Sequence, residues 1–124
     1  LISSLGGPDL PAVGTSFGLD RICDIIPDEV STATKVLVTI FSPELIDKSI
    51  ELSTKLLRAG IGVELYPDDR IKLDKQLQYA ARKKIPYVAI LGPEEFAKNL
   101  VTLKNMQTGT QEQLMLQDVI SKLA

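Results

Sequence analysis

The sequence predicts an α/β domain built on a largely parallel sheet, and three observations carry that expectation. Short, β-branched apolar runs alternate with amphipathic stretches of helical period in the order strand, helix, strand, helix, strand. The runs are apolar almost throughout, as strands covered on both faces must be. Glycine or proline stands at the junctions, where a turn needs it.

The first run, "KVLVTIF", predicts a buried strand over 36–41. Ser42 then offers a helix cap and Pro43 suits the first helical position. In the following helix Leu45, Ser49, Leu52, Leu56 and Ala59 recur on one face, widened by Ile46, Ser53 and Leu57, with Asp47, Lys48, Glu51, Lys55 and Arg58 mostly opposite. Gly60 sits where a helix end wants a left-handed residue. "IGVELY" resumes as strand and stops at Pro67. A second helix is expected over roughly 71–84, with Leu73, Leu77, Ala80 and Ala81 as its apolar stripe and Lys75, Gln78, Tyr79 and Arg82 turned away. "IPYVAILG" is the third strand, and "GPEEFAKN" a turn with room for one helical turn. For the rest two readings stand: a hairpin of "LVTLKNM" and "TQEQLM" before a short helix in "LQDVISKLA", or one continuous helix over 110–123. Gly109, after a strand-like alternation, favours the hairpin.

Composition removes several classes of chemistry. The chain of 124 residues has one cysteine, Cys23, and no histidine. Structural zinc sites and histidine-dependent triads are therefore excluded within it. Cys23 is expected to be a small apolar contact. A reducing, cytoplasmic setting fits, and no apolar run approaches the ~20 residues that span a bilayer. The first residue is Leu1 rather than Met, so a truncated or processed chain is expected. Net charge is −2, which argues against a globally basic nucleic-acid binder, and no DNA partner is expected. Its distribution is uneven: from Arg70 to Lys84 there are six basic residues and one acid, Asp74. Such a cluster is either a solvated helix face or a phosphate-facing surface. No glycine-rich phosphate loop follows any predicted strand, so the common nucleotide-binding readings of an α/β sheet fail.

Two stretches carry a family resemblance. "LGGPDLPAVGTSFGLDRI" resembles the third signature motif of class II aminoacyl-tRNA synthetases, in the "PAVG…GLDR" form of the histidyl-tRNA synthetase family. "KVLVTIF…LLRAGIGVELY…LDKQLQYAARKKIPYVAILGPEE…VTLKNMQTGTQ" is similar, over about ninety residues, to the C-terminal anticodon-binding domain of the same family. The resemblance implies a remnant of a catalytic domain at 1–26 (a strand leading into a helix), a linker at 27–34 and an anticodon-binding domain at 35–124. It also implies a three-layer fold: a mixed five-stranded sheet, mostly parallel with one late antiparallel strand, flanked by about three helices. Gly18 would allow close backbone approach and Arg21 would bind ATP phosphates, while Asp20 stands where the family more often has glutamate. The implied parent enzyme joins histidine to its tRNA with ATP and magnesium and is a homodimer. The chain itself is expected to be inactive, to hold no cofactor or metal, and to bind the anticodon stem-loop of histidine tRNA. Sibling specificities (proline, threonine, glycine), a non-catalytic synthetase-like protein, and a module serving dimer contacts are the alternatives.

Anticodon bases are unstacked and are read on their edges, while the phosphates beside them are held by cations. The expected surface joins the strand ends to the second helix: Thr39, Ile40 and Phe41, then Tyr66, Asp68, Asp69 and Arg70, then Lys72, Lys75, Gln76, Gln78, Tyr79 and Arg82. Gln76 and Gln78 are the expected base readers, Lys75 and Arg82 the phosphate contacts, and Asp68 and Asp69 acceptors for exocyclic amines. Tyr79 reads equally well as a half-buried edge of the core.

Overall fold

The computed structural model describes residues 2–26 and 32–124. Most of the predicted linker therefore lies outside the described residues. The chain divides into two units, residues 1–30 and 31–124.

In the first unit Ser3–Leu5 form a 3-10 turn and Leu19–Cys23 a five-residue helix, α1. Gly18 precedes α1 in extended conformation, and Arg21 lies in its first turn. The expected strand before the helix is not formed: residues 10–18 have no regular structure. A strand's backbone groups need a ladder partner, and the backbone bonds here are local ones such as Leu10 N–H to Pro8 O. None of residues 2–26 is buried. Cys23 is exposed, which corrects its expected role as an apolar contact.

The second unit is a five-stranded sheet. Its elements are β1 (Val36–Val38), α2 (Ile46–Arg58), β2 (Val63–Leu65), α3 (Leu73–Arg82), β3 (Tyr87–Ile90), α4 (Pro93–Ala97), β4 (Val101–Asn105), β5 (Gln111–Leu114) and α5 (Leu116–Leu123). The strand order is β2-β1-β3-β4-β5. β1 pairs in parallel with β2 and β3, and β4 runs antiparallel to both β3 and β5. Only β4 thus opposes the common direction, as the mixed-sheet expectation holds. The hairpin forms and the single helix over 110–123 does not, with Gly109 at φ 77° after the turn. That left-handed conformation costs glycine nothing.

Local boundaries move for physical reasons. Ser42 precedes a 3-10 turn, Pro43–Leu45, rather than capping α2 directly. Its hydroxyl serves instead the Glu44 carboxylate, which it holds below its usual pKa. Gly62 is required by proximity: a Cβ there would lie 2.1 Å from the Ala33 carbonyl oxygen, on a segment whose next residues enter β1. On α3 the buried stripe includes Gln76 and Ala80 with Leu73 and Leu77 half-buried, whereas Ala81 is exposed.

The sheet has two dissimilar faces. Val36, Val38, Ala89, Leu91, Val101 and Leu103 meet Leu52 and Leu56 of α2 and Val119 and Leu123 of α5 in the larger core. On the other face Leu37, Val88 and Ile90 pack with Ala80 and Ile85, flanked by Leu73 and Leu77. Among the described residues, α3 is the only helix of eight or more residues in this second core.

Candidate nucleic-acid interface

One helix is too narrow to cover the second face to its edge. In the strand register, Ile90 stands opposite Thr102 and Thr102 opposite Gln113; Val88 stands opposite Lys104 and Lys104 opposite Gln111. These rows lie on one face because side chains alternate along each strand. They change from apolar to polar on leaving the cover of α3. The result is an open cleft of about 310 Å³ lined by Phe41, Leu73, Ile90, Glu95, Thr102 and the β5 residues Gln111, Glu112 and Gln113. An antiparallel hairpin with one wet face permits this arrangement.

Glu95 gives the cleft a fixed acceptor. Thr102 Oγ1 donates to it at 2.8 Å and the Gly92 N–H at 3.2 Å. Burial pushes the carboxyl's pKa up, but hydrogen bonds from Thr102, its own backbone N–H, Gly92 and Gln113 outweigh that and hold it below the usual range. It is therefore ionised at neutral pH. Phe41, half exposed at 48%, lines the same cleft as an apolar plate.

Phe41 is held there from below. Thr39 is fully buried, donating through its hydroxyl and its N–H to the Ala89 carbonyl, while Ser49 donates to the Thr39 carbonyl. Gln76 is also fully buried. Its Oε1 accepts from Ile40 N–H at 3.0 Å and its Nε2 donates to the carbonyls of Ile40 (2.7 Å) and Ile71 (2.8 Å). The expectation that Gln76 reads bases is thus corrected: its amide is spent pinning α3 to the chain beyond β1. Thr39 and Ile40 are corrected likewise, since Ile40 is only 3% exposed and both shape the site from inside.

A second depression, about 580 Å³, brings together Tyr66, Ile71, Lys75, Gln78, Tyr79 and Arg82. Arg70, Lys72, Lys75, Arg82, Lys83 and Lys84 are all exposed. Of these six, only Lys83 is in an ion pair among the described residues, with Glu64. Asp68 is less available than expected, because its Oδ1 accepts the Arg70 N–H in a tight turn. Asp69 is half-buried. A third depression lies against the larger core, and both its lysines, Lys48 and Lys55, are paired with Glu51. No cluster of metal-ligating side chains is present among the described residues. Among the described residues, no helix is long and apolar enough to cross a membrane.

The residues that sequence reasoning missed are Glu95, Thr102, Lys104, Gln111 and Gln113. Their signal was available: Thr102 and Lys104, then Gln111 and Gln113, are polar at alternate positions of a predicted hairpin.

An acceptor, an apolar ring and two glutamine amides in an open cleft, together with exposed cations free of ion pairs on and next to α3, are groups able to meet unstacked bases and phosphates. Residues 35–124 match the family described as "Anticodon binding domain". The chain belongs to the anticodon-binding domain family. Among curated relatives, it is 42% identical over 120 residues to a histidine–tRNA ligase of Porphyromonas gingivalis, covering 92% of this chain and 26% of that one. A histidine–tRNA ligase of Cytophaga hutchinsonii is 37% identical over 129 residues, covering 99% and 28%. The chain therefore spans about a quarter of the length of these relatives. The crystal structure of a histidyl-tRNA synthetase from a Nostoc species superposes with a TM-score of 0.70 at 30% identity, over 73% of this chain and 22% of that one. The RNA-binding domain of a threonyl-tRNA synthetase from Cryptosporidium parvum, at 22% identity and a TM-score of 0.69, shares the anticodon-binding domain's fold.

Proposed function

We propose that the chain is the C-terminal part of a histidyl-tRNA synthetase and that its anticodon-binding domain recognises the anticodon stem-loop of histidine tRNA. The observation that carries this is the open polar half of the sheet beside exposed cations free of ion pairs. In this reading Phe41 packs against a splayed base and Glu95 accepts from its amino or imino group. Gln111 and Gln113 supply amide edges able both to donate and to accept. Arg70, Lys72, Lys75 and Arg82 hold phosphates, which position the loop without reading it, and Gln78 lies among them. Asp69 remains an acceptor at the rim. The relatives' histidine specificity favours histidine over proline, threonine or glycine.

The whole enzyme would ligate histidine to its tRNA, with ATP and magnesium supplying the activation chemistry. Arg21, at the start of α1 after Gly18, would neutralise charge on the ATP phosphates. Such an enzyme would act in the cytoplasm as a homodimer. This chain alone would not activate histidine.

Titration of the chain with cognate and anticodon-swapped stem-loops tests the recognition. Tighter binding of the cognate loop is expected, and equal binding would refute the assignment. For the whole enzyme, Arg21→Ala should cut histidine-dependent ATP–pyrophosphate exchange by roughly 10²–10³. Normal exchange would remove Arg21 from the site.

A further inference from the structure

Tyr66 and Tyr79 form an edge-to-face pair, with ring centroids 5.3 Å apart and planes at 87°. The two rings are committed to different degrees. The Tyr79 hydroxyl donates to Glu64 of β2. Lys83 donates to both oxygens of the same carboxylate at 2.9 and 3.1 Å, with its Nζ 4.9 Å from the Tyr79 centroid. Burial raises the Glu64 pKa, but the bonds from Tyr79 and Lys83 outweigh it and keep the carboxyl below its ordinary value. Tyr79 is a braced post whose polar end is already used.

Tyr66 is not. Its ring lines the depression, and its hydroxyl has no hydrogen-bond partner among the described residues. Lys75, Gln78 and Arg82, spaced by three and four along α3, share one stripe of the helix and line the same space. Neither Lys75 nor Arg82 is in an ion pair among the described residues, whereas Lys83, next to Arg82, is consumed by Glu64.

An aromatic ring paired edge-to-face with a braced partner, with two cations free of ion pairs alongside (Lys75 donating only to the neutral Gln78 amide at 3.5 Å), is what a single-stranded nucleotide requires: a surface for the base and charge for its phosphate. Resting on the reading that this surface binds an anticodon loop, the geometry points to a second nucleotide subsite here. It takes a loop residue outside the anticodon triplet, its base on Tyr66 and its phosphate on Arg82 and Lys75. Glu64 is the positioning residue, acting through Tyr79. The subsite adds affinity for the loop with little preference among bases, since every base has a face to stack.

The test is a coupling measurement on the full chain, using a histidine anticodon stem-loop and a set of the same RNA made abasic at each loop position in turn. Tyr66→Leu should weaken binding of the intact loop by about 5- to 100-fold without changing its salt slope. That loss should vanish for the RNA abasic at one position outside the triplet and persist for the others. Tyr66→Phe should bind almost as the parent does, and Glu64→Gln should forfeit part of the Tyr66 contribution while Tyr66 remains in place. Arg82→Ala, at an exposed position, gives an independent readout should Tyr66→Leu not fold. It should lower the salt slope by roughly one unit, and a methylphosphonate beside the same nucleotide should erase its effect. An equal loss on every abasic RNA, or none, together with an Arg82 effect indifferent to that methylphosphonate, would overturn the subsite. Parental discrimination between cognate and swapped anticodons is scored separately. Discrimination without the coupling sinks only the subsite, coupling without discrimination sinks only the functional reading, and no binding to any stem-loop sinks both.

Discussion

The two faces of the sheet differ in how much of them is covered. Against α2 and α5, strands β1, β3 and β4 bury a continuous apolar patch, with Val36, Val38, Leu56, Ala89 and Val119 all fully buried, and polar Asn105 and Glu112 stand only at its margins. Against α3, burial stops part-way across, and the rows running out from Ile90 and Val88 turn polar at β4 and β5. The first face holds the larger core; the second turns polar at Thr102 and Lys104 and opens at β5 into the cleft. In the proposed reading, stability and recognition are divided between faces of one sheet, and substitutions on the two should have separable effects.

The largest effect is expected on the closed face. Leu56→Ala should cost about 2–5 kcal/mol through lost burial and the cavity left behind. The thermal midpoint should fall by roughly 10 °C or more. Discrimination between stem-loops should survive at temperatures where the variant is folded. If discrimination is lost in parallel with stability, the faces are not separable.

Next in size is Gln76, which joins the two halves of the account. Gln76→Leu would strand the Ile40 N–H and two carbonyls away from water, at about 1–3 kcal/mol for a buried group so abandoned. A lower midpoint is expected together with weaker loop binding, since the segment carrying Phe41 loses its tie to α3. A variant as stable as the parent would contradict the clamp.

Acid should act on the open face in a defined direction. Against the upward push of burial, the bonds from Thr102 and Gly92 hold the folded-state pKa of Glu95 below the ordinary carboxylate range. The stability it contributes is therefore present above the unfolded pKa and lost as pH falls through the folded one. Glu95→Gln should flatten the fall in stability below about pH 4.5 relative to the parent, as followed by thermal melts across that range. An unchanged profile would mean the carboxylate is not held as described. Smallest in stability is Arg82→Ala, expected within about 0.5 kcal/mol of the parent. A larger drop in midpoint would show Arg82 to be part of the fold rather than its surface.

The sequence made the elements legible and the cover over them illegible. Periodicity placed α2, α3 and the three parallel strands because each buries a continuous face, and Gly109 marked the hairpin because its turn needs positive φ. Gln76 was misread because amides are usually solvated. Yet it lies three residues after Leu73 and four before Ala80, on the apolar stripe, where a buried amide must be bonded. Tyr66, Lys75, Gln78, Tyr79 and Arg82 were foreseen as neighbours and do line one depression. The cleft at β4–β5 was not foreseen: the alternation in the hairpin marks one polar face, but which face α3 leaves bare depends on the strand order, which the spacing alone does not give. The strand expected ahead of α1 failed for the complementary reason: small residues permit extension, but only a ladder partner makes a strand.

The central claim is that bases are read on the uncovered half of the sheet while α3 holds only the backbone. It is tested most directly by measuring affinities of Gln113→Leu and Arg82→Ala for cognate and anticodon-swapped stem-loops at two salt concentrations. Gln113→Leu should shrink the cognate-to-swapped ratio by about 5- to 100-fold, the worth of roughly 1–3 kcal/mol for an edge contact, with its salt slope unchanged. Arg82→Ala should weaken both loops alike and lower the slope by roughly one unit. A ratio untouched by Gln113→Leu, or one that collapses with Arg82→Ala instead, would contradict the account.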